Sequence, residues 1–223
     1  MCGRYVITKA ASKTKNIIQK NNGVVDEINY NAFPGSVLPV ITKEEDQLAL
    51  HKFHWGLVPK WSEKMKDFKP LNNARLETIH EKVTFKGLIA ARRCVVPADG
   101  YYEWRKDEND RKVPYYFTGT DLQTLYFAGL YQKNTNTEFS IITTEAKGDV
   151  TEIHHRMPVI LQEQDIGRYL DLKTDALTLL NVYPGVPLTF NEVSREVNNP
   201  ANNKPKLIQS PLDPCGQTKP NNP

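Results

Sequence analysis

CVVPADGYYEWRKDENDRKVPYYFTGTDLQTLYFAGLYQKNTNTEFSIITT, residues 94–144, holds five short segments rich in β-branched and aromatic side chains, at 94–98, 100–105, 113–119, 124–131 and 138–144. The turn-forming stretches DENDRK (107–112), GTDLQ (119–123) and KNTNT (133–137) separate most of them. Such closely spaced strands predict an antiparallel meander or a strongly bent sheet. Upstream, SVLPVIT (36–42) and QLALHKFHWGL (47–57) flank the polar turn KEED (43–46), which reads as a hairpin. Pro39 lacks an N–H and places the first of these strands at a sheet edge. Apolar residues recur three and four apart at 12–21, 85–93, 163–171 and 174–181, which predicts helices, with Thr174 and Asp175 as candidate caps of the last.

The 223 residues are 39% hydrophobic, enough for one sizeable core, and we expect one domain over 1–209. The Pro- and Asn-rich tail, 210–223, is expected to be a disordered end or a strap on the surface. Arg4 and three lysines occupy the opening where a secretory peptide needs an apolar run, and no stretch reaches the ~20 apolar residues of a membrane span. A cytoplasmic protein, nucleoid-associated if bacterial, fits this pattern. Cys2, Cys94 and Cys215 are odd in number and far apart, which suits reduced thiols. A net charge of +3 demands no polyanionic partner, so nucleic-acid binding has to come from local patches.

Cys2 stands next to a residue that aminopeptidases remove when the second side chain is small. Once freed, its amine and thiol form a 1,2-aminothiol. The amine condenses with an aldehyde to an imine, and the sulfur closes a five-membered thiazolidine. Ordinary pKa values of about 8.5 for the thiol and about 7.7 to 8.0 for the amine leave both reactive near neutrality after a modest shift. The plain alternative is a stray terminal thiol.

PLNNARLET (70–78) carries Asn72, Asn73, Arg75 and Glu77. Adjacent asparagines commonly mark a turn or an N-cap, while in a pocket an amide donates to a sugar oxygen and an arginine grips a phosphate. In PADGYYEWR (97–105), strand alternation puts Tyr101 and Glu103 on one face and Tyr102 and Trp104 on the other. An inward Glu103 has a raised pKa, which suits a general acid/base, whereas most strand glutamates are simply solvated. EIHHRMPVIL (152–161) sets His154 and His155 on different sides of an extended chain, so one enters a site while the other meets solvent. His51, His54 and His80 have no ligand spacing with cysteines or clustered carboxylates, so no metal or cofactor is expected. HWGLVPKWSEKMKDFK (54–69) mixes Trp55, Trp61 and Phe68 with four lysines, a pattern for stacking on unpaired bases. Trp55 also reads as core, which leaves Trp61 as the better candidate for exposure.

Together MCGRY (1–5), NNARLET (72–78), PADGYYEW (97–104) and IHHRMPVIL (153–161) resemble the SOS-response-associated peptidase (SRAP) family, also called abasic-site processing proteins. YNAFPG (30–35), WGLVPKW (55–61), SIITT (140–144), NEVSREVNN (191–199) and LIQ (207–209) extend the resemblance from Cys2 to about Gln209. It implies an α+β fold, a single compact domain of bent, mainly antiparallel, barrel-like sheet with flanking helices. It also implies a cleft for single-stranded DNA and a covalent thiazolidine between the mature Cys2 and the ring-opened aldehyde of an abasic site. By the same resemblance Cys2 is the nucleophile and Asn73 orients the sugar and the amine. Glu103 is the acid/base, and His154 assists sugar-ring opening. Arg4, Arg75 and Arg156 match positions that contact DNA phosphates, with Thr143, Pro34 and Trp61 as further DNA contacts.

Ser62 stands where relatives carry a bulky residue, so the wedge that splits duplex from single strand is expected to be weaker, or rebuilt by Phe33 or Met65. Met1 blocks the amine while it remains. The expected protein is a monomeric, lyase-like DNA-damage protein with no cofactor. The competing readings are a thiol autopeptidase using Cys2, His154 and Asn73 or Glu103, and a binding module without chemistry.

Overall fold

The computed structural model describes residues 2–62, 64–182 and 185–211. In chain order the strands are β1 (Tyr5–Thr8), β2 (Lys20–Asn21), β3 (Ile28–Ala32), β4 (Val37–Glu44), β5 (Gln47–Trp55), β6 (Asn73–Arg75) and β7 (Arg93–Ala98). They continue as β8 (Gly100–Lys106), β9 (Lys112–Gly119), β10 (Leu125–Lys133), β11 (Thr137–Glu145), β12 (Arg156–Pro158), β13 (Ile160–Leu161) and β14 (Leu188–Glu192). The helices are α1 (Ala10–Thr14), α2 (Val83–Ala91), α3 (Ile166–Leu170) and α4 (Ala176–Asn181), so the fold is α+β and dominated by sheet.

A five-stranded sheet runs β14-β9-β8-β1-β3, and a nine-stranded sheet follows β12-β11-β10-β7-β4-β5-β2, with β13 on β10 and β6 on β11. Most pairs are antiparallel. In the larger sheet β11 also pairs in parallel with β5 through Glu138↔His54 and Phe139↔Trp55. The path β11-β10-β7-β4-β5 thereby returns on itself as a ring of paired strands, which we do not term a barrel.

Side-chain alternation sorts this double sheet into layers. Tyr5, Tyr101 and Phe117 of the small sheet meet Val40, Trp55, Val96, Phe127 and Ile141 of the large one in a core that includes Cys2. Their chain neighbours Ile41, Val95, Ala128 and Ile142 face the opposite way, against Phe85, Ile89, Tyr169 and Leu180 of the helices. Val6, Tyr102 and Tyr116 cover the outer face of the small sheet, beneath Val193, Val197 and Leu207.

Two expectations are corrected. Pro39 does not mark an edge, because β4 lies between β5 and β7. The β4–β7 pairing is made at Ile41↔Val95, two residues beyond the proline, so the missing N–H falls outside that bridge. The helix expected over 12–21 is only α1, since Lys20 and Asn21 instead pair in parallel with Ala49 and Leu50 of β5. The helices expected near 85–93 and 174–181 form, and Asp175 caps the latter by accepting the N–H groups of Leu177 and Thr178 at 3.0 and 3.3 Å. Among the described residues no helix is long and apolar enough to cross a membrane. Cys2 and Cys94 are free thiols. Met1, Cys215 and nearly all of the tail expected over 210–223 lie outside the described residues.

Residues 194–203 close the edge of the small sheet at β3. Asn203 accepts the Tyr30 N–H at 2.8 Å and donates to the Ile28 carbonyl at 3.2 Å, imitating a paired strand. The buried Asn31 amide donates to the carbonyls of Val197, Asn199 and Asn202 at 3.2, 3.0 and 2.9 Å, while its Oδ1 accepts from Arg4 at 2.7 Å. Asn31→Ala strands those acceptors, and we expect a loss of about 1–3 kcal/mol, read as a lower urea midpoint at unchanged slope. A change within 0.3 kcal/mol would show the latch to be decorative.

Candidate active site

Four sequence-distant elements place the candidate residues around the amino end. Cys2 precedes β1 and is fully buried. The β1–β8 pairing sets Tyr5 opposite Tyr101, two residues before Glu103, which is 2% exposed. On the other sheet, β6 runs parallel to β11 with Asn73 opposite Ile141, and the Asn73 Nδ2 donates to the Cys2 carbonyl at 3.0 Å. The turn ahead of β12 supplies His154, whose Nε2 lies 3.8 Å from Glu103 Oε2. Cys2, Asn73, Glu103 and His154 therefore meet at the seam between the two sheets.

Their surroundings set their protonation. Burial, reinforced by the nearby Glu103 charge, pushes the Cys2 thiol far above its usual range, so it stays protonated. Burial pushes Glu103 up to about 7, where both of its forms are populated at neutral pH. Burial likewise lowers His154 to about 4, which keeps the imidazole neutral. The Arg156 N–H donates to His154 Nδ1 at 3.0 Å, and the rings of His154 and His155 stack with centroids 4.4 Å apart. Among the described residues the buried Asn73 Oδ1 has no hydrogen-bond partner, and neither do the Tyr5 and Tyr101 hydroxyls.

The two adjacent asparagines make different contacts. Asn73 holds Cys2 through its side chain, whereas the Asn72 carbonyl receives the Trp55 indole N–H and the Ile141 N–H, both at 3.0 Å. Trp55 is core, stacked on Phe139.

The residues expected to meet DNA divide into exposed and enclosed sets. Trp61 is 60% exposed, with Phe68 set edge-on at 5.4 Å, and Lys60, Lys64, Lys66 and Lys69 around it are exposed. Ser62 is buried and donates to the Pro59 carbonyl at 2.8 Å, so it points into its turn, while Phe33 and Met65 are exposed. Pro34 is half-buried and Arg75 exposed. Arg4 donates to Asn31 and to the Val197 carbonyl, both at 2.7 Å. Thr143 is buried, and Arg156, also buried, is engaged by Glu77 and Thr143. Sequence reasoning gave Asn31 and Glu77 no role, because both act on side chains far away in the chain.

A polar hollow of about 460 Å³ beside the His154–Arg156 turn is lined by Arg75, Glu145, Ala146, Thr151, His155 and Arg156. A larger one of about 610 Å³, bounded by Leu76, Val150, Met157 and Phe190, holds none of the four clustered residues. The four clustered residues lie instead at the seam between the two sheets. Among the described residues no three His, Cys, Asp or Glu side chains gather as a metal site.

Fold and site define an α+β protein whose near-terminal cysteine lies beside an amide, a buried carboxyl and a neutral imidazole. The family model for SOS response associated peptidase (SRAP) matches residues 1–200, and the chain belongs to that family. It is 33% identical to the abasic site processing protein YoqW of Bacillus subtilis, over 94% of this chain and 100% of that one. It is 29% identical to the abasic site processing protein YedK of Escherichia coli, covering 81% of this chain and 83% of the relative. A crystal structure of a protein from Bacteroides thetaiotaomicron superposes with a TM-score of 0.77 at 26% identity, over 95% of this chain and 100% of that one.

Proposed function

We propose that the protein processes abasic sites in single-stranded DNA by capturing the ring-opened aldehyde as a thiazolidine on Cys2. The observation that carries this reading is the gathering of Asn73, Glu103 and His154 about the amino end, each delivered by a different strand or turn, with Asn73 bonded to the Cys2 carbonyl and His154 Nε2 3.8 Å from Glu103. The relatives named abasic site processing proteins support abasic sites as the substrate.

Once residue 1 is removed, the Cys2 amine adds to the aldehyde carbon to give a carbinolamine. Loss of one water yields an imine, and the sulfur then adds to the imine carbon while its proton passes to nitrogen. One C–N and one C–S bond form at the expense of the carbonyl. The raised thiol pKa fits this order, since a protonated sulfur leaves the first attack to the amine. Glu103, titrating near 7, suits both giving a proton to the departing hydroxyl and taking one from the amine. The free Oδ1 of Asn73 is placed to accept from the amine or a sugar hydroxyl. Neutral His154 polarises the ring oxygen during opening, and Arg75, with the polar hollow beside it, receives an adjacent phosphate. A thiol autopeptidase gains less support, because that chemistry starts from a thiolate and burial disfavours one here.

The deciding experiment is the intact mass of the product that survives heat and denaturant without reduction, conditions under which the isomeric imine hydrolyses, after reaction with an abasic oligonucleotide. The expected mass is the sum of the Met1-free protein and the DNA less one water; an adduct that retains Met1, or that adds without loss of water, would sink the thiazolidine. Stacking on Trp61 makes a separate prediction. Trp61→Ala should weaken binding to single-stranded DNA by about 1–3 kcal/mol, measured by fluorescence anisotropy, while the crosslinking rate at saturating DNA stays within twofold.

A further inference from the structure

Glu77 sits in the turn that follows β6, outside the cluster around Cys2, and yet it is tied to it. Its Oε1 accepts from Arg156 Nη1 at 2.9 Å, from the Glu145 N–H at 3.1 Å and from Thr144 Oγ1 at 3.2 Å, and its Oε2 accepts from Arg156 Nη2 at 2.9 Å. Arg156 Nη2 also donates to the carbonyl and hydroxyl oxygens of Thr143, at 2.7 and 3.2 Å. The guanidinium is thus fastened to the end of β6 and to β11 at once. This two-point, charge-assisted grip fixes orientation as well as position.

The backbone of the same arginine governs His154. Its N–H lies 3.0 Å from His154 Nδ1, and its carbonyl oxygen lies 3.2 Å from that same atom. The N–H can only donate, so accepting it requires a bare Nδ1 and puts the proton of the neutral ring on Nε2, the atom 3.8 Å from Glu103 Oε2. The opposite tautomer would bond the carbonyl and leave the Arg156 N–H facing another hydrogen. Which tautomer the ring adopts therefore depends on which of the two Arg156 backbone groups is aligned with Nδ1.

We propose that Glu77 is a positioning residue: by gripping the Arg156 guanidinium it holds the Arg156 peptide where it keeps the His154 proton on Nε2, facing Glu103. The inference rests on the reading of His154 as the residue that assists ring opening. Burial works against ionisation of Glu77, but the hydrogen bonds and charge of Arg156 outweigh it and hold the carboxyl below its usual range, so the grip persists at neutral pH. Arg156 is on this view a strut between Glu77 and His154 before it is a phosphate ligand.

The test joins a spectroscopic and a kinetic measurement on the Met1-free protein. Long-range proton–nitrogen correlation spectra of histidine-labelled protein should show His154 as the Nε2–H tautomer. In Glu77→Ala the signals should move to a mixture dominated by the Nδ1–H tautomer, and single-turnover crosslinking to an abasic oligonucleotide should slow about tenfold, as expected when about a tenth of the molecules keep the competent tautomer. Affinity for intact single-stranded DNA should change by less than twofold. Glu77→Gln, which keeps the shape and one acceptor oxygen, should lie between the two and carries the test if the alanine variant folds poorly. An unchanged His154 tautomer in either variant overturns the proposal, as does a changed tautomer with an unchanged rate. A several-fold gain in DNA affinity also overturns it, because Glu77 would then restrain a phosphate ligand. If the wild-type protein forms no adduct, the proposed function fails while the spectra still decide whether Glu77 sets the tautomer.

Discussion

Cys2→Ala is expected to give no denaturant-resistant adduct with abasic DNA under conditions where the Met1-free wild type is fully converted. The variant keeps its α-amine, so an imine still forms and still hydrolyses. What it loses is the sulfur that turns a reversible imine into a closed ring. Borohydride reduction should accordingly trap the alanine variant on DNA, although heat and denaturant release the untreated complex. The substitution leaves the terminus in place, because Asn73 holds the backbone carbonyl of residue 2, not its side chain. Cys94, the other buried free thiol, is the control: Cys94→Ala should retain the stable adduct. A denaturant-resistant adduct that survives Cys2→Ala without reduction would rule out the thiazolidine.

Glu103→Gln is expected to slow adduct formation by about two to four orders of magnitude, the usual contribution of a positioned acid/base. It should also flatten the pH dependence of the rate around 7, where the wild-type carboxyl titrates. The same substitution should stabilise the protein at alkaline pH. A folded pKa of about 7, raised from 4.5, means that the stability contributed by this carboxyl is fully present below about 4.5. It is lost as pH rises through 7, at a limiting cost of about 3 kcal/mol. Glutamine does not ionise, so the variant should unfold at higher denaturant than wild type at pH 8 and at a similar concentration at pH 5. A less stable variant at pH 8 would contradict the burial argument, whatever happens to the rate. Loss of activity with gain of stability is the mark of a carboxyl kept at a folding cost for its chemistry.

Much of this architecture is legible where the physics is local. Alternation in GYYEWR sends Tyr101 and Glu103 inward and Tyr102 outward, as observed, and the twin apolar pairs Val95–Val96 and Ile141–Ile142 each divide between two cores. Asp175 is readable as a cap because its partners lie two and three residues away. What escapes is non-local pairing. Nothing near Trp55 or Phe139 announces that their strands close a ring in parallel, and Pro39 is tolerated inside a sheet only because the β7 bridge falls at Ile41. The asparagines of 198–203 carry no local sign of their partner, yet their segment is matched to β3 through Asn31 and Asn203. In the site, motifs bring Asn73, Glu103 and His154 to attention, but hydrogen-bond direction does not follow from residue type. The sequence therefore distinguishes neither the amide atom that holds Cys2 nor the clamp that occupies Arg156.

The Arg4 side chain reaches the carbonyl of Val197, joining a residue two places from the reactive cysteine to one 193 positions later. Synthesis runs from the amino end, so Arg4 emerges well before the segment that anchors its strand. Until Val197 docks, β1 lacks this tie, and the joint between Arg4 and Val197 closes only after the strands between them have been made. On the proposed reading, a nascent chain would meet an aldehyde at the uncatalysed rate of a free aminothiol, and the folded seam would add the acid/base and the imidazole.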